Sequence, residues 1–236
     1  MRVIQFEIPG EGRRVGVVAE LEVIDITAAL PSLTYVFQVF DAAQEAGIGF
    51  EEFLQDAADA SDSRVNYPQL LGAPVGGDEP FLHAPVDHSD PHRVLISGTG
   101  LTHTGSMESR DAMHLEEDEP KSEEPATDSA KMFQMGIEGG KPEPGTRGVS
   151  PEWFYKGNGT FLRGPGQPLD IPAYALDGGE EPEVAACYII DREGTPRRLG
   201  FTLGNEWADH ETERINYLYL APSKLRVCSI GPELVT

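Results

Sequence analysis

Two glutamates open an otherwise apolar stretch in the run Glu180-Glu181-Pro182-Glu183-Val184-Ala185-Ala186-Cys187. The apolar residues predict a β-strand, whose period of two puts Glu181 and Glu183 on one face, roughly 6.5 to 7 Å apart along the chain. Two carboxylates at the mouth of a buried strand repel each other unless a positive charge lies between them. The pair therefore indicates either a shared cation or the solvated end of a strand.

A predicted hairpin brings a third carboxylate to the same place. Strands are expected over residues 183–190 and 198–204, joined by the turn Asp191-Arg192-Glu193-Gly194-Thr195-Pro196. This pairing puts Glu206 opposite Pro182, within one residue, so that Glu181, Glu183 and Glu206 converge. A ligand set made only of oxygens suits Mg²⁺, Mn²⁺ or Ca²⁺ better than zinc.

Three further residues have side chains that suit acid-base or electrostatic work. Lys156 ends an aromatic run at 151–156, and Lys224 follows an apolar run at 217–223. Such lysines either snorkel to the surface or, beside an enolate, supply positive charge or a base. His103 follows a glycine-rich bend and is either a general acid or base or a histidine bonded to the loop backbone. The bend lacks the spacing and the lysine of nucleotide-binding loops.

Composition narrows the class of protein. The 236 residues carry a net charge of -22, from 18 Lys and Arg against 40 Asp and Glu. A nucleic acid or an anionic membrane is therefore excluded as a partner, since both need clustered cations. No apolar run reaches the length of a signal peptide or a membrane helix, and we expect a cytoplasmic protein. Cys187 and Cys228 lie in strand-like runs and are expected to be buried free thiols.

Along the chain, two parts are predicted. Strands at 2–8 and 13–25 are followed by a helix from Leu33, capped by Ser32 and stopped by Gly47, and by a second helix at 50–58. Residues 1–91 are expected to form a small amino-terminal domain with a linker, and 92–236 the main domain. A flexible acidic loop is expected at 115–148, with a short helix at 130–136, and a last strand at 225–230 that ends at Gly231-Pro232.

Several motifs in order resemble the catalytic domain of the fumarylacetoacetate hydrolase superfamily: 151–156, Gly164-Pro165-Gly166-Gln167-Pro168, Glu181-Pro182-Glu183, Gly204-Asn205-Glu206, Lys224 and Gly231-Pro232. The resemblance implies an α+β, mostly β fold, in which a β-roll catalytic domain follows a small α/β amino-terminal domain. It implies that Glu181, Glu183 and Glu206 bind Mg²⁺, Mn²⁺ or Ca²⁺, and that Lys156 and Lys224 lie near the substrate. The third acid is usually an aspartate in the superfamily, so Glu206 is one methylene longer. Relatives continue beyond the last motif, and we therefore expect a truncated roll that folds weakly or associates.

Two branches of the superfamily are most similar. The runs 98–103, 127–133 and 204–210 resemble the GguC-type proteins, and the run 216–224 resembles 2-keto-3-deoxy-D-arabinonate dehydratases. The resemblance implies a metal-dependent dehydratase of a 2-keto-3-deoxy sugar acid in sugar-acid catabolism. The metal acts as a Lewis acid that stabilises an enolate when a proton leaves C3, and a hydroxyl then departs from C4. His103 is given an acid-base role.

Two alternatives stay open. One is a hydrolase or decarboxylase that cleaves a carbon–carbon bond of an acylpyruvate-type 2-oxo acid. Such relatives activate water with a His-x-x-Glu pair, and Ser106 stands where the Glu would follow His103, which favours dehydration. The other is an inactive sugar-acid binding protein. In each case the expected partner is a small 2-oxo acid, and a homodimer is expected.

Overall fold

A computed structural model describes residues 1–100, 104–105, 107–108, 128–140, 142–149, 152–215 and 227–236. Most of its strands form one sheet, which runs from a short edge strand at Arg64–Asn66 to the predicted hairpin. In chain order the strands on this path are β1 (Arg2–Ile8), β2 (Gly12–Ala19), β3 (Glu22–Asp25), β4 (Arg64–Asn66), β9 (Pro182–Ile190), β10 (Pro196–Asn205) and β11 (Cys228–Val235). Their order across the sheet is β4-β3-β2-β1-β11-β10-β9, and every neighbouring pair is antiparallel.

Four further short strands lie off this path. They are β5 (Phe81–Leu82), β6 (Leu95–Gly98), β7 (Phe154–Asn158) and β8 (Leu162–Arg163). Strand β5 pairs with β1, β8 pairs with β11, and β6 and β7 form a separate two-stranded sheet. The helices are α1 (Ile26–Ala29), α2 (Val36–Ala46), α3 (Phe50–Asp59), α4 (Tyr67–Gly72), α5 (Asp128–Gly139) and α6 (His210–Ile215), with single 3₁₀ turns at Pro91–Arg93 and Gly159–Phe161. None of the helices in the described parts of the chain is long and apolar enough to cross a membrane.

The core lies on both faces of the central sheet. On one face Val3, Val15 and Val17 pack against α2 and α3, and Leu199 and Leu234 of the last two strands join the same cluster. On the other face a second cluster covers β1 and β2, built from Ile4, Phe6, Val18, Val23, Tyr67, Leu70 and Leu82. Because successive side chains of a strand point to opposite faces, neighbouring apolar residues of β1 and β2 supply both clusters.

The predicted hairpin is confirmed. Pro196 pairs with Ile190 at the turn, and Asn205 pairs with Pro182 at the open end. The turn is closed by Asp191, whose carboxylate accepts hydrogen bonds from the backbone N–H of Glu193 at 3.1 Å and of Thr195 at 2.7 Å. The sequence predicted Glu206 opposite Pro182 within one residue, and the observed partner of Pro182 is Asn205.

The single strand predicted over 13–25 is wrong. The chain turns back at Glu20 and Leu21, so that Val18 of β2 pairs with Val23 of β3. Glu20 has φ 55, a conformation that a non-glycine residue rarely adopts. Two-residue hairpin loops usually contain Asn or Gly, and neither residue type is present in this loop.

Ser32 does not cap the first long helix, which is a second correction. Helix α2 begins at Val36, three residues after the predicted start at Leu33, and ends at Ala46, with Gly47 as the predicted stop. Gln38 supplies the cap, because its side-chain oxygen accepts hydrogen bonds from the backbone N–H of Thr34 at 2.8 Å and of Tyr35 at 3.0 Å.

The second predicted helix is confirmed as α3, and the helix predicted at 130–136 is α5. The residues at 109–127 lie outside the described part of the chain.

The last strand does not end at Gly231-Pro232, where the sequence predicted a stop. Strand β11 runs through this dipeptide to Val235. It pairs with β10 through Gly231 and with β1 through Leu234. The register of the β10 pairing shifts between Phe201 and Leu203. Such an irregularity tolerates a proline, which has no N–H to donate to a ladder.

The sheet crosses the predicted domain boundary at residue 91. Strand β11 lies between β1 and β10, and Leu199 and Leu234 share a core cluster with the amino-terminal helices. The amino-terminal strands and the hairpin of β9 and β10 are therefore held in one continuous sheet. The division into two domains stays a prediction, as does a β-roll that this chain leaves incomplete.

The two faces of β9 differ in burial. Cys187 and Ile189 pack against the core. Val184, Tyr188 and Ile190 alternate with them and are exposed. Association and the homodimer stay predictions.

A carboxylate on β11 ties the last strand to the first. Glu233 accepts two hydrogen bonds from the Arg2 guanidinium, each 2.6 Å long, and one from the Tyr67 hydroxyl. Hydrogen bonds from Arg2, and then from Tyr67, hold the pKa of this carboxyl below its ordinary value of 4.5. A lowered pKa stabilises the fold above the ordinary value, and the stabilisation is lost as the pH falls through the folded-state pKa.

We therefore expect Glu233→Gln to lower the free energy of unfolding by about 1–3 kcal/mol at pH 7. The difference from wild type should shrink as the pH falls below 4.5 and disappear below the lowered pKa of the folded state, where the wild-type carboxyl is protonated too. Urea unfolding at several pH values measures both effects, with the exposed Glu22→Gln as control. A difference that does not change with pH would contradict the assignment.

Candidate metal centre

Three carboxylates meet at the open end of the hairpin. Glu181 and Glu183 flank the start of β9, and Glu206 follows β10. One carboxylate oxygen from each lies within 4.8 Å of the others. The convergence predicted from the sequence is confirmed, and among the described residues this is the one group of three or more His, Cys, Asp or Glu side chains with the spacing of a cation site.

The backbone of the two strands fixes this arrangement. The Glu206 N–H donates to the Glu181 carbonyl at 3.0 Å, which extends the hairpin ladder by one step. The side-chain oxygen of Asn205 accepts from the backbone N–H of Glu181 at 3.1 Å and of Trp207 at 3.3 Å. Asn205 thus holds the two chain segments that carry the carboxylates in a fixed relation.

Lys156 reaches the centre from β7. Its side chain is only 2% exposed, and Nζ lies 3.8 Å from Oε1 of Glu206. Nζ also donates to the backbone carbonyls of Glu206 at 3.3 Å and Trp207 at 3.1 Å. Lys156 therefore does not snorkel to the surface, and it brings positive charge beside the third carboxylate.

Sequence reasoning gave His210 no role, yet this residue contacts the centre. Its Nε2 lies 2.9 Å from Oε1 of Glu181, and its Nδ1 lies 3.9 Å from Oδ2 of Asp177. His210 opens α6 and comes four residues after Glu206. The signal was the run from Glu206 to His210, which was noted for its resemblance and not for its chemistry.

A cleft of about 320 Å³ lies beside the hairpin. Its walls are the loop at 164–167, Gly204 and Asn205 at the end of β10, and residues 229–232 of β11. Gln167 closes the loop on itself, because its side-chain oxygen accepts from the Gly164 N–H at 2.7 Å. The motifs 164–168 and Gly231-Pro232, far apart in the sequence, thus form one cleft next to the segment that leads into Glu206.

The other predicted site residues give a mixed outcome. Lys224 and His103 lie outside the described residues, so their roles stay predictions. Cys187 and Cys228 are free, as expected. Burial raises the pKa of both thiols to about 11, which keeps them protonated at neutral pH, so they are unsuited to bind a metal.

Solved structures share this architecture. The apo form of 2-keto-3-deoxy-D-arabinonate dehydratase superposes with a TM-score of 0.60 and 18% identity over 100% of this chain and 66% of that chain. The chain has the fold of the fumarylacetoacetate hydrolase superfamily. The same dehydratase complexed with magnesium and 2,5-dioxopentanoate gives a TM-score of 0.58 at 18% identity, over 100% of this chain and 66% of that one. A fumarylacetoacetate hydrolase from psychrophilic Exiguobacterium antarcticum gives 0.54 at 17% identity, with the same two coverages.

The likeness to fumarylacetoacetate hydrolases and their relatives is one of fold. The sequence matches no protein-family model and no curated protein. This chain spans 66% of the length of each of the three structures. The resemblance inferred from the motifs is confirmed at the level of the fold.

Proposed function

We propose that this protein is a divalent-metal-dependent dehydratase of a 2-keto-3-deoxy sugar acid. The observation that carries the proposal is the convergence of Glu181, Glu183 and Glu206 within 4.8 Å. The substrate class is taken from the dehydratase whose complex holds magnesium and 2,5-dioxopentanoate. Hydrolysis or decarboxylation of an acylpyruvate and binding without turnover are the outcomes that would replace it.

The donor set fits a hard cation. Three carboxylates supply only oxygen ligands, and their mutual repulsion favours a positive charge between them. Glu181, Glu183 and Glu206 would hold Mg²⁺, with Mn²⁺ or Ca²⁺ as substitutes of the same ligand preference. When bound, the cation supplies Lewis acidity for the carboxylate and keto oxygens of a 2-oxo acid.

Lys156 is proposed to stabilise negative charge that develops on the substrate. Its ammonium group is held by the carbonyls of Glu206 and Trp207. A charge fixed by such contacts needs no reorganisation when the substrate loses its proton, which is the condition for effective electrostatic catalysis. Lys224 and His103 keep their proposed roles in charge stabilisation and proton transfer.

The cleft at 164–167 and 229–232 is proposed to take the hydroxylated tail of the substrate. Its lining combines backbone groups with the side chains of Asn205, Gln167 and Ser229. Polar groups in a mostly apolar wall are the usual means by which a small-molecule site fixes orientation. The cleft lies next to the carboxylates in the chain, because Asn205 directly precedes Glu206.

A substrate panel tests the reaction. Purified protein should dehydrate at least one 2-keto-3-deoxy sugar acid in the presence of Mg²⁺, and removal of the cation with EDTA should abolish turnover. Product analysis by mass spectrometry separates loss of water from carbon–carbon cleavage. Turnover of acylpyruvates alone would establish the hydrolase, and binding of sugar acids without any product would establish the binding protein.

A further inference from the structure

We propose that His210 is a positioning residue that fixes the Glu181 carboxylate for cation binding. The inference rests on the proposed function, since it presupposes that Glu181 is a metal ligand. Its structural basis is a chain of contacts from a rigid backbone segment, through the imidazole ring, to one oxygen of the carboxylate.

The contact between His210 and Glu181 has the geometry of a hydrogen bond. Nε2 and Oε1 are 2.9 Å apart, and both side chains are mostly buried. A carboxylate only accepts, so Nε2 carries the hydrogen. This bond restricts the plane of the carboxylate. Carboxylates that bind metals are commonly held in this way, and loss of the outer partner typically weakens metal affinity about 10-fold to 100-fold.

The imidazole ring of His210 packs against Gly179. A Cβ atom placed on this glycine would lie 2.3 Å from Nδ1 and 2.5 Å from Cε1 of His210, so the ring packs directly on the backbone. That backbone is held by two hydrogen bonds with Ala208, from the Gly179 N–H at 2.8 Å and from the Ala208 N–H at 3.0 Å. Any larger residue at position 179 would displace the imidazole.

The start of helix α6 fixes the other end of the side chain. Asp209 is 1% exposed, and its carboxylate accepts from the Thr212 N–H at 2.9 Å and from the Leu176 N–H at 3.0 Å. The first bond caps the helix, and the second ties it to the loop that carries Asp177 and Gly179. His210 therefore extends from an anchored backbone onto a rigid platform, and its ring has little freedom to leave Glu181.

A purely structural role and a positioning role for His210 predict different cation affinities for the same variants. Glutamine can place an amide N–H close to the position of Nε2, although it has no ring to pack on Gly179. Alanine removes the donor altogether. If the hydrogen bond to Glu181 is what matters, glutamine rescues cation affinity. If ring packing is what matters, glutamine and alanine behave alike.

Calorimetric titration of the full chain with MgCl₂ tests this, with thermal melts to verify folding. We expect His210→Ala to raise the dissociation constant about 10-fold to 100-fold, His210→Gln to stay within about threefold of wild type, and Gly179→Ala to resemble His210→Ala. The matched control is His92→Ala, an exposed histidine outside the three-carboxylate cluster, which should not change affinity.

Two results overturn the inference while leaving the proposed function intact. One is a wild-type affinity retained by His210→Ala, and the other is an equal loss in His210→Ala and His210→Gln. A wild-type protein that binds no Mg²⁺ would overturn the proposed function and this inference together.

Discussion

Replacing Glu183 by glutamine should raise the dissociation constant for Mg²⁺ at least tenfold. The amide keeps the size of the side chain but removes one negative charge and one anionic ligand from a set of three. In the metal-free protein the same change removes repulsion between carboxylates that lie within 4.8 Å of one another. The variant should therefore melt no lower than wild type without metal, while it gains less stability than wild type when Mg²⁺ is added.

Calorimetry and thermal melts with and without MgCl₂ measure these two effects. Glu180→Gln is the matched control, because Glu180 lies three residues before Glu183, is exposed and is outside the cluster. The control should bind Mg²⁺ as wild type does. Equal affinity in Glu183→Gln and wild type would remove the basis of the metal centre.

Replacing Lys156 by methionine should lower turnover about 10²-fold to 10³-fold, the usual cost of removing one preorganised electrostatic contact to the transition state. Mg²⁺ affinity should stay equal to wild type or become tighter, because the ammonium group lies 3.8 Å from a carboxylate oxygen of Glu206 and opposes a second cation there. Two opposite charges about 4 Å apart interact by roughly 4 kcal/mol at an effective dielectric constant of 20. The variant should also unfold more easily, by about 1–3 kcal/mol, since the carbonyls of Glu206 and Trp207 lose a donor.

The test compares kcat, Mg²⁺ affinity and melting temperature in one preparation. Lys131→Met is the matched control, because this lysine lies on α5 with an exposed side chain and pairs only locally with Asp128 among the contacts seen. A Lys156→Met enzyme with full turnover would refute the role given to Lys156. Reduced turnover that is accompanied by a large loss of cation affinity would show that Lys156 acts by shaping the metal site.

The cluster of three carboxylates could be predicted because its determinants are local. Glu181, Glu183 and Glu206 belong to a single hairpin, and the period of a strand together with one turn is enough to bring them together. The helices α2 and α3 were found for the same reason, since the apolar residues from Val36 to Ala43 repeat at helical spacing.

What the sequence did not reveal depends on contacts between distant segments. The burial of Lys156 depends on carbonyls that lie 50 residues away. The bond between His210 and Glu181 joins residues 29 apart. It also requires a glycine at position 179, because the imidazole ring packs directly on the backbone there. The turn at Glu20 was missed for a different reason, because its backbone conformation is imposed by strand pairing and the residue type gives no sign of it.

The position of β11 between β1 and β10 also has a consequence for folding during synthesis. A ribosome releases β1 early and β11 only after every other described strand, so the edge of β1 at Arg2 and Val3 has no partner until residues 228–235 have emerged. Pairings between such distant segments are slow to form, because a long loop must close first. The hairpin of β9 and β10 can close earlier by itself, but its attachment to the amino-terminal strands depends on β11. A slow stretch of translation after residue 205 would therefore lengthen the time in which an unpaired strand edge is exposed to other chains.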